Sequence, residues 1–136
     1  PMPIYRCTIP QASVSDEHKE QIALEITRIH CEACPGTPQR FVHVVFEEVS
    51  PGNGFCGGQR SKASLVHGTI RGGRDQPVRS GIVTEISRTW SKITGQSEDD
   101  ILALVIEVPA GNVVEGGAVM PEPGQEAAWL AEHSAS

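Results

Sequence analysis

Apolar and polar positions along the chain follow two rhythms that alternate twice. Residues 2–9 form a mixed apolar stretch of strand length. Ile22, Ile26 and Ile29 then recur with the 3.6-residue period of a helix buried on one side. Ser13 or Ser15 can cap that helix, and Pro35-Gly36 stops it. Residues 41–49 are β-branched and aromatic, as a strand requires. The series then begins again. Residues 65–70 predict a strand and 75–94 a helix, with Ile82, Ile86 and Ile93 inward and Gly95 where a C-terminal glycine belongs. Residues 101–108 are apolar enough to predict a strand covered on both faces. Pro51-Gly52-Asn53-Gly54 and Ala110-Gly111-Asn112 carry turn chemistry.

The recurrence extends to residue identity. At an offset of 60, Ile22, Glu25, Ile26 and Arg28 match Ile82, Glu85, Ile86 and Arg88. At an offset of 59, Glu48, Val49, Gly52, Asn53, Gly57 and Gly58 match Glu107, Val108, Gly111, Asn112, Gly116 and Gly117, six identities in eleven positions. The chain therefore reads as an internal duplication, residues 1–60 and 61–120, with a tail at 121–136, all in one domain. Two fused β-α-β units predict an α+β fold: a four-stranded sheet with both helices on one face, since such crossovers are right-handed. The other face then needs cover, and oligomerisation is one way to supply it. In the tail, Trp129 and Leu130 are the expected docking residues.

Composition narrows the function. Of 136 residues 11 are basic and 17 acidic, a net charge of −6, which argues against sequence-independent nucleic-acid binding. The longest apolar run, residues 101–106, falls far short of the ~18–20 needed to span a bilayer. No basic segment leads into an apolar one as in a signal peptide, so the four cysteines are expected to be thiols in a cytoplasmic protein.

The chain begins at Pro1 followed by Met2, as if an initiator methionine were removed. Its amine is secondary and on a rigid ring. An α-amino group titrates near ~7.7–8.0, and nearby cations or burial lower that value, leaving a neutral amine able to act as general base. Simple trimming is the alternative. Arg71-Gly72-Gly73-Arg74 sits at a strand-to-helix turn, where two guanidiniums beside helix-terminal amides suit a small anion and the glycines allow close approach. The alternative is a solvated turn, although the helix dipole disfavours arginine there. His30 falls on the apolar side of the first helix, as a ligand-facing or a merely satisfied residue. Glu115, between Val114 and Gly116, is either a desolvated acid–base or a solvent-facing carboxylate. Cys31-Glu32-Ala33-Cys34 closes a helix, whereas a redox pair opens one, and Cys7 and Cys56 are too isolated to complete a zinc site. His18, His43, His67 and His133 show no ligand spacing, and Met2, Met120 and the three phenylalanines read as core.

Pro1, the two β-α-β repeats and Arg71-Gly72-Gly73-Arg74 together resemble the tautomerase superfamily, most of all its cis-3-chloroacrylic acid dehalogenase group. The likeness runs from Pro1 through 121–126 to Trp129. It implies that Pro1 exchanges a proton with a substrate carbon, that His30, Arg71 and Arg74 bind the substrate carboxylate, and that Glu115 activates water. It also implies homotrimers and a chemistry that needs no metal or nucleotide. The family pairs its glutamate with a strand tyrosine, and here Leu104 stands at that position, with Leu102 in place of a tryptophan. Leucine cannot polarise water. Tautomerisation of a 2-hydroxy-enoate or 2-oxo acid, with an arylenolpyruvate as one candidate, is therefore the expected activity, and hydrolytic dehalogenation of a cis-3-haloacrylate the alternative. Leu104 would then line an apolar substrate pocket.

Overall fold

Strand β1 (Ile4–Pro10) directs Tyr5, Cys7 and Ile9 to one face, where each is fully buried, and exposes Ile4 and Arg6 on the other. The same alternation runs through β2 (His43–Val49), β5 (Ser64–Arg71) and β6 (Ile101–Val108). The computed structural model describes residues 2–133. Its main sheet has the order β2-β1-β5-β6, parallel within each repeat and antiparallel where the repeats meet at β1 and β5. Helices α1 (Asp16–Ala33) and α2 (Gln76–Thr94) cover one face. The fold is α+β, as the duplication predicts.

Local chemistry explains the boundaries. Ser15 rather than Ser13 caps α1, its hydroxyl accepting from the His18 N–H at 3.1 Å. The backbone N–H of Ser13 is bonded instead to Pro10 O in the preceding turn. Ile22, Ile26 and Ile29 of α1 meet Ile82, Ile86 and Trp90 of α2 in the core, each isoleucine worth about 1.5–3 kcal/mol of burial. Gly95 ends α2 with φ of 76°, a left-handed conformation that glycine adopts without penalty. Strand β2 starts at His43, later than its apolar run, because residues 39–41 make a 3₁₀ turn. At the centre Tyr5 lies opposite Gly68, and a Cβ there would come within 2.5 Å of the tyrosine ring. Gly68 is the space in which that ring lies.

Each repeat closes with a short hairpin, β3–β4 (Phe55–Cys56 and Gln59–Arg60) and β7–β8 (Val114–Glu115 and Ala118–Val119). The tail adds a helix that periodicity did not predict, α3 (Glu126–His133). Trp129 docks it, its indole N–H donating to Val119 O at 2.7 Å and its ring meeting Phe41 edge-on.

Two expectations are corrected. Phe55 is not core: it is 60% exposed in its hairpin. Strand β6 is covered on one face only, because α1 and α2 both lie on the same side. Ile4, Val45, Leu65, Leu102, Leu104 and Ile106 leave an apolar surface on the opposite side. Among the described residues no helix is long and apolar enough to cross a membrane.

Candidate functional site

Arg71 ends β5, and its side chain is buried. One guanidinium nitrogen donates to Pro121 O at 2.8 Å, and another lies 3.4 Å from Glu126 Oε2. Both oxygens of Glu126 also accept from the Gly124 N–H, at 2.8 and 2.9 Å. The tail thus folds over the end of β5 and supplies a carboxylate to its arginine.

The loop that follows is held from two sides. The Gly72 N–H donates to Val108 O at 2.8 Å, carrying the β5–β6 pairing past the strand end. Gly73 has φ of 104°, and a Cβ there would press on Pro123 at 3.3 Å. Its close neighbour is therefore the tail. Glu107 accepts from the Arg74 N–H at 3.1 Å and pairs with Arg79 at 3.1 Å, while Arg79 also donates to Arg74 O. These contacts fix the Arg74 backbone. The Arg74 side chain is half-buried, and its guanidinium has no hydrogen bond or ion pair among the described residues. It is the more available cation of the two.

His30, in the last turn of α1, is buried, and its Nδ1 lies 2.8 Å from the Tyr5 hydroxyl. Burial first, then the nearby charges of Arg74 and Arg71, push its pKa down to about 3. The imidazole is neutral at physiological pH and lies within the field of both arginines. Cys34 is buried in the same region, and burial raises its thiol and that of Cys31. Raised pKa values are the reverse of what a redox pair needs. Among the described residues no group of three or more metal-ligating side chains is disposed to hold a metal.

Glu115, in β7, lies with Oε1 3.4 Å from Nε2 of His43, the first residue of β2. Leu104 is mid-strand in β6 on the open face of the sheet, whereas His30 packs against the helix-covered face. Within one chain the sheet separates them. Pro1 lies outside the described residues.

Tyr5, Glu126, His43 and Glu107 were missed in the sequence. Tyr5 was legible as an inward strand position beside Cys7 and Ile9. The other three depend on contacts between distant segments. One buried side-chain polar atom has no partner among the described residues, Thr37 Oγ1, and the adjacent Gly36 packs against Glu126.

The duplication places a counterpart of this region at the other end of the sheet. There a cavity of about 720 Å³ is lined by Thr8, Pro10, Phe55, Cys56, Leu65 and Leu102, among others. Pro10 ends β1 as Arg71 ends β5, Cys56 matches Glu115, and Trp90 matches His30. The indole N–H of Trp90 donates to Gln96 at 3.0 Å. That end has no chemical counterpart of His30 or Glu115, which makes the end of β5 the candidate site.

Comparison with known proteins agrees with this architecture. The family model described as "Putative oxalocrotonate tautomerase enzyme" matches residues 2–134. The crystal structure of native Ps01740 is similar with a TM-score of 0.80 and 31% identity, over 82% of this chain and 99% of that one. N1, a member of the cis-3-chloroacrylic acid dehalogenase family, superposes with a TM-score of 0.89 at 24% identity, over 94% and 90% of the two chains. A fused 4-OT wild-type asymmetric trimer gives 0.78 at 17% identity, over 85% and 94%. No curated protein sequence matches the chain. With the family model spanning nearly all of it, the chain belongs to the oxalocrotonate tautomerase family of the tautomerase superfamily.

Proposed function

We propose that the chain is a cofactor-independent keto–enol tautomerase acting on a 2-hydroxy-enoate or 2-oxo acid, an arylenolpyruvate being one candidate. The supporting observation is the meeting of buried Arg71, half-buried Arg74 and neutral His30 at one end of the sheet. Two cations and a neutral ring suit a carboxylate next to an atom on which oxyanion charge develops. Arg74, with Arg71 behind it, would hold the carboxylate, and His30 would orient the substrate.

Pro1 would carry the proton. Its neutral amine takes the enol hydroxyl proton, the C–O bond becomes a carbonyl, and the resulting ammonium returns a proton to carbon. Two guanidiniums in the site would favour the neutral amine by raising the cost of a third cation. Glu115 would serve as a proton relay. A homotrimer is part of the proposal: the apolar open face of the sheet needs cover, and fused 4-OT relatives are described as trimers. In such an assembly Leu104 would reach a substrate pocket only from a neighbouring subunit.

A second reading, hydration or dehalogenation of a cis-3-haloacrylate, is favoured by the Glu115 carboxylate and opposed by Leu104. The deciding experiment is an ultraviolet enol-to-keto assay over several 2-hydroxydienoates and arylenolpyruvates. Pro1→Ala, or retention of an N-terminal methionine, should reduce kcat/KM by about 10²–10⁴-fold, the span of general acid–base catalysis. Full activity in either would remove the proline from the mechanism.

A further inference from the structure

We propose that Tyr5 is a positioning residue whose hydroxyl donates to Nδ1 of His30, fixing the imidazole as its Nε2–H tautomer. The ring would then offer the site a neutral hydrogen-bond donor. The two side chains meet at 2.8 Å, both buried, with their rings edge-on at 5.7 Å between centroids.

Counting protons decides the direction. Burial, followed by the neighbouring Cys34 and Cys31, pushes the Tyr5 hydroxyl far above its ordinary value, so it keeps its proton. His30 holds a single ring proton at physiological pH. If that proton sat on Nδ1 it would point at Tyr5, and the Tyr5 O–H would need another acceptor. No other partner of the Tyr5 hydroxyl exists among the described residues. A buried donor without an acceptor is costly. With Tyr5 donating, both groups are satisfied and the ring proton lies on Nε2.

That nitrogen makes no hydrogen bond among the described residues. As a donor without a partner of its own, it is the ring atom left for a bound molecule. The support beneath Tyr5 is equally specific. The ring lies over Gly68, where a Cβ would stand 2.5 Å from ring carbon Cε1 and 2.8 Å from Cδ1. Any side chain at residue 68 would displace the hydroxyl from His30. A tyrosine over a glycine, with its hydroxyl on a helix-borne histidine, is more constraint than core filling requires.

The role toward substrate rests on the tautomerase reading, whereas the tautomer itself can be read without turnover. Long-range ¹H–¹⁵N correlation spectra of ¹⁵N-histidine-labelled protein at neutral pH should show His30 protonated on Nε2 and bare on Nδ1. Tyr5→Phe keeps the ring and removes the donor, so the His30 signals should shift toward the Nδ1–H form. Gly68→Ala keeps the hydroxyl and should shift them in the same direction. In the enol assay Tyr5→Phe should lower kcat/KM about tenfold, the value of one hydrogen bond. A wild-type spectrum with the proton on Nδ1, or one that Tyr5→Phe leaves unchanged, would overturn the proposal. Loss of enol turnover across all substrates with the tautomer as expected would overturn the functional reading and leave the assignment of Tyr5 standing.

Discussion

Arg71 and Glu126 meet 3.4 Å apart with both side chains almost fully buried, joining the first strand of the second repeat to the tail that follows that repeat. The arginine assigned to substrate from its spacing with Arg74 is also a structural tie. Breaking one half of a buried ion pair leaves the other charge stranded, at about 3–5 kcal/mol. Glu126→Ala should therefore lower stability by about 3 kcal/mol in chemical denaturation, and Arg71→Ala by a similar amount. The double variant should lose less than the two combined, because neither partner is then left alone. Arg74→Ala should leave stability near wild type while raising KM. A fully stable Arg71→Ala would show that the buried pair contributes nothing to the fold.

The split between legible and hidden features follows from how far each interaction reaches along the chain. Isoleucine spacing in α1 and α2 is local, and the matching glycines and asparagines of the two repeats announced two equivalent units before any geometry was known. His30 was visible because one turn separates it from Ile26. Which side of β6 would be bare was not, since a run such as Ile-Leu-Ala-Leu-Val-Ile is apolar on both faces and says nothing of where the helices sit. Arg71 could be marked as a cation at a turn, but its partner is 55 positions away, and no periodicity reports such a pairing. Tyr5 and Gly68 were likewise separate readings until the antiparallel register laid one over the other.

His30 should make the protein sensitive to mild acid. Its pKa is about 3 in the folded chain, against an ordinary value near 6.5 in the unfolded one. As pH falls below about 6.5, the unfolded chain binds a proton that the folded chain refuses, so stability drops by up to about 1.4 kcal/mol per pH unit. The loss continues until pH nears 3, where the folded form also protonates; above 6.5 the group contributes no pH dependence. His30→Gln should flatten the urea-midpoint curve between about pH 6 and pH 4 relative to wild type. Parallel curves would show that His30 is solvated enough to titrate normally.

The open face of the sheet predicts the assembly state. Leu102, 50% exposed, and Ile106, 48% exposed, are large apolar side chains that the chain's own helices cannot reach. Light scattering should give three times the chain mass. Because Leu102 is already half in solvent, Leu102→Glu should fold but dissociate the trimer, by placing an unpaired charge where apolar surfaces would meet. A monomeric wild type would leave the face to some other partner and would remove Leu104 from any substrate pocket.

Leu104 separates the two enzyme readings. Adding water to an unsaturated acid requires a positioned and deprotonated water, which a glutamate and a tyrosine would share in the dehalogenase group that the sequence resembles. Here Glu115 is in place beside His43, but the position of the second partner carries an apolar side chain on the open face. Tautomerisation moves only a proton and has no need of that water. Wild type should therefore ketonise enols while releasing chloride from a cis-3-haloacrylate poorly. Leu104→Tyr should raise the ratio of chloride release to ketonisation, if only modestly, since a new hydroxyl without supporting partners is loosely held. The effect should also depend on assembly, because Leu104 and His30 of one chain lie on opposite sides of the sheet. Adding Leu102→Glu to Leu104→Tyr, and so dissociating the trimer, should abolish the gain. Chloride release and ketonisation measured on the same preparations decide the matter: fast chloride release by wild type would show that leucine is no impediment, and would make hydration chemistry the first reading.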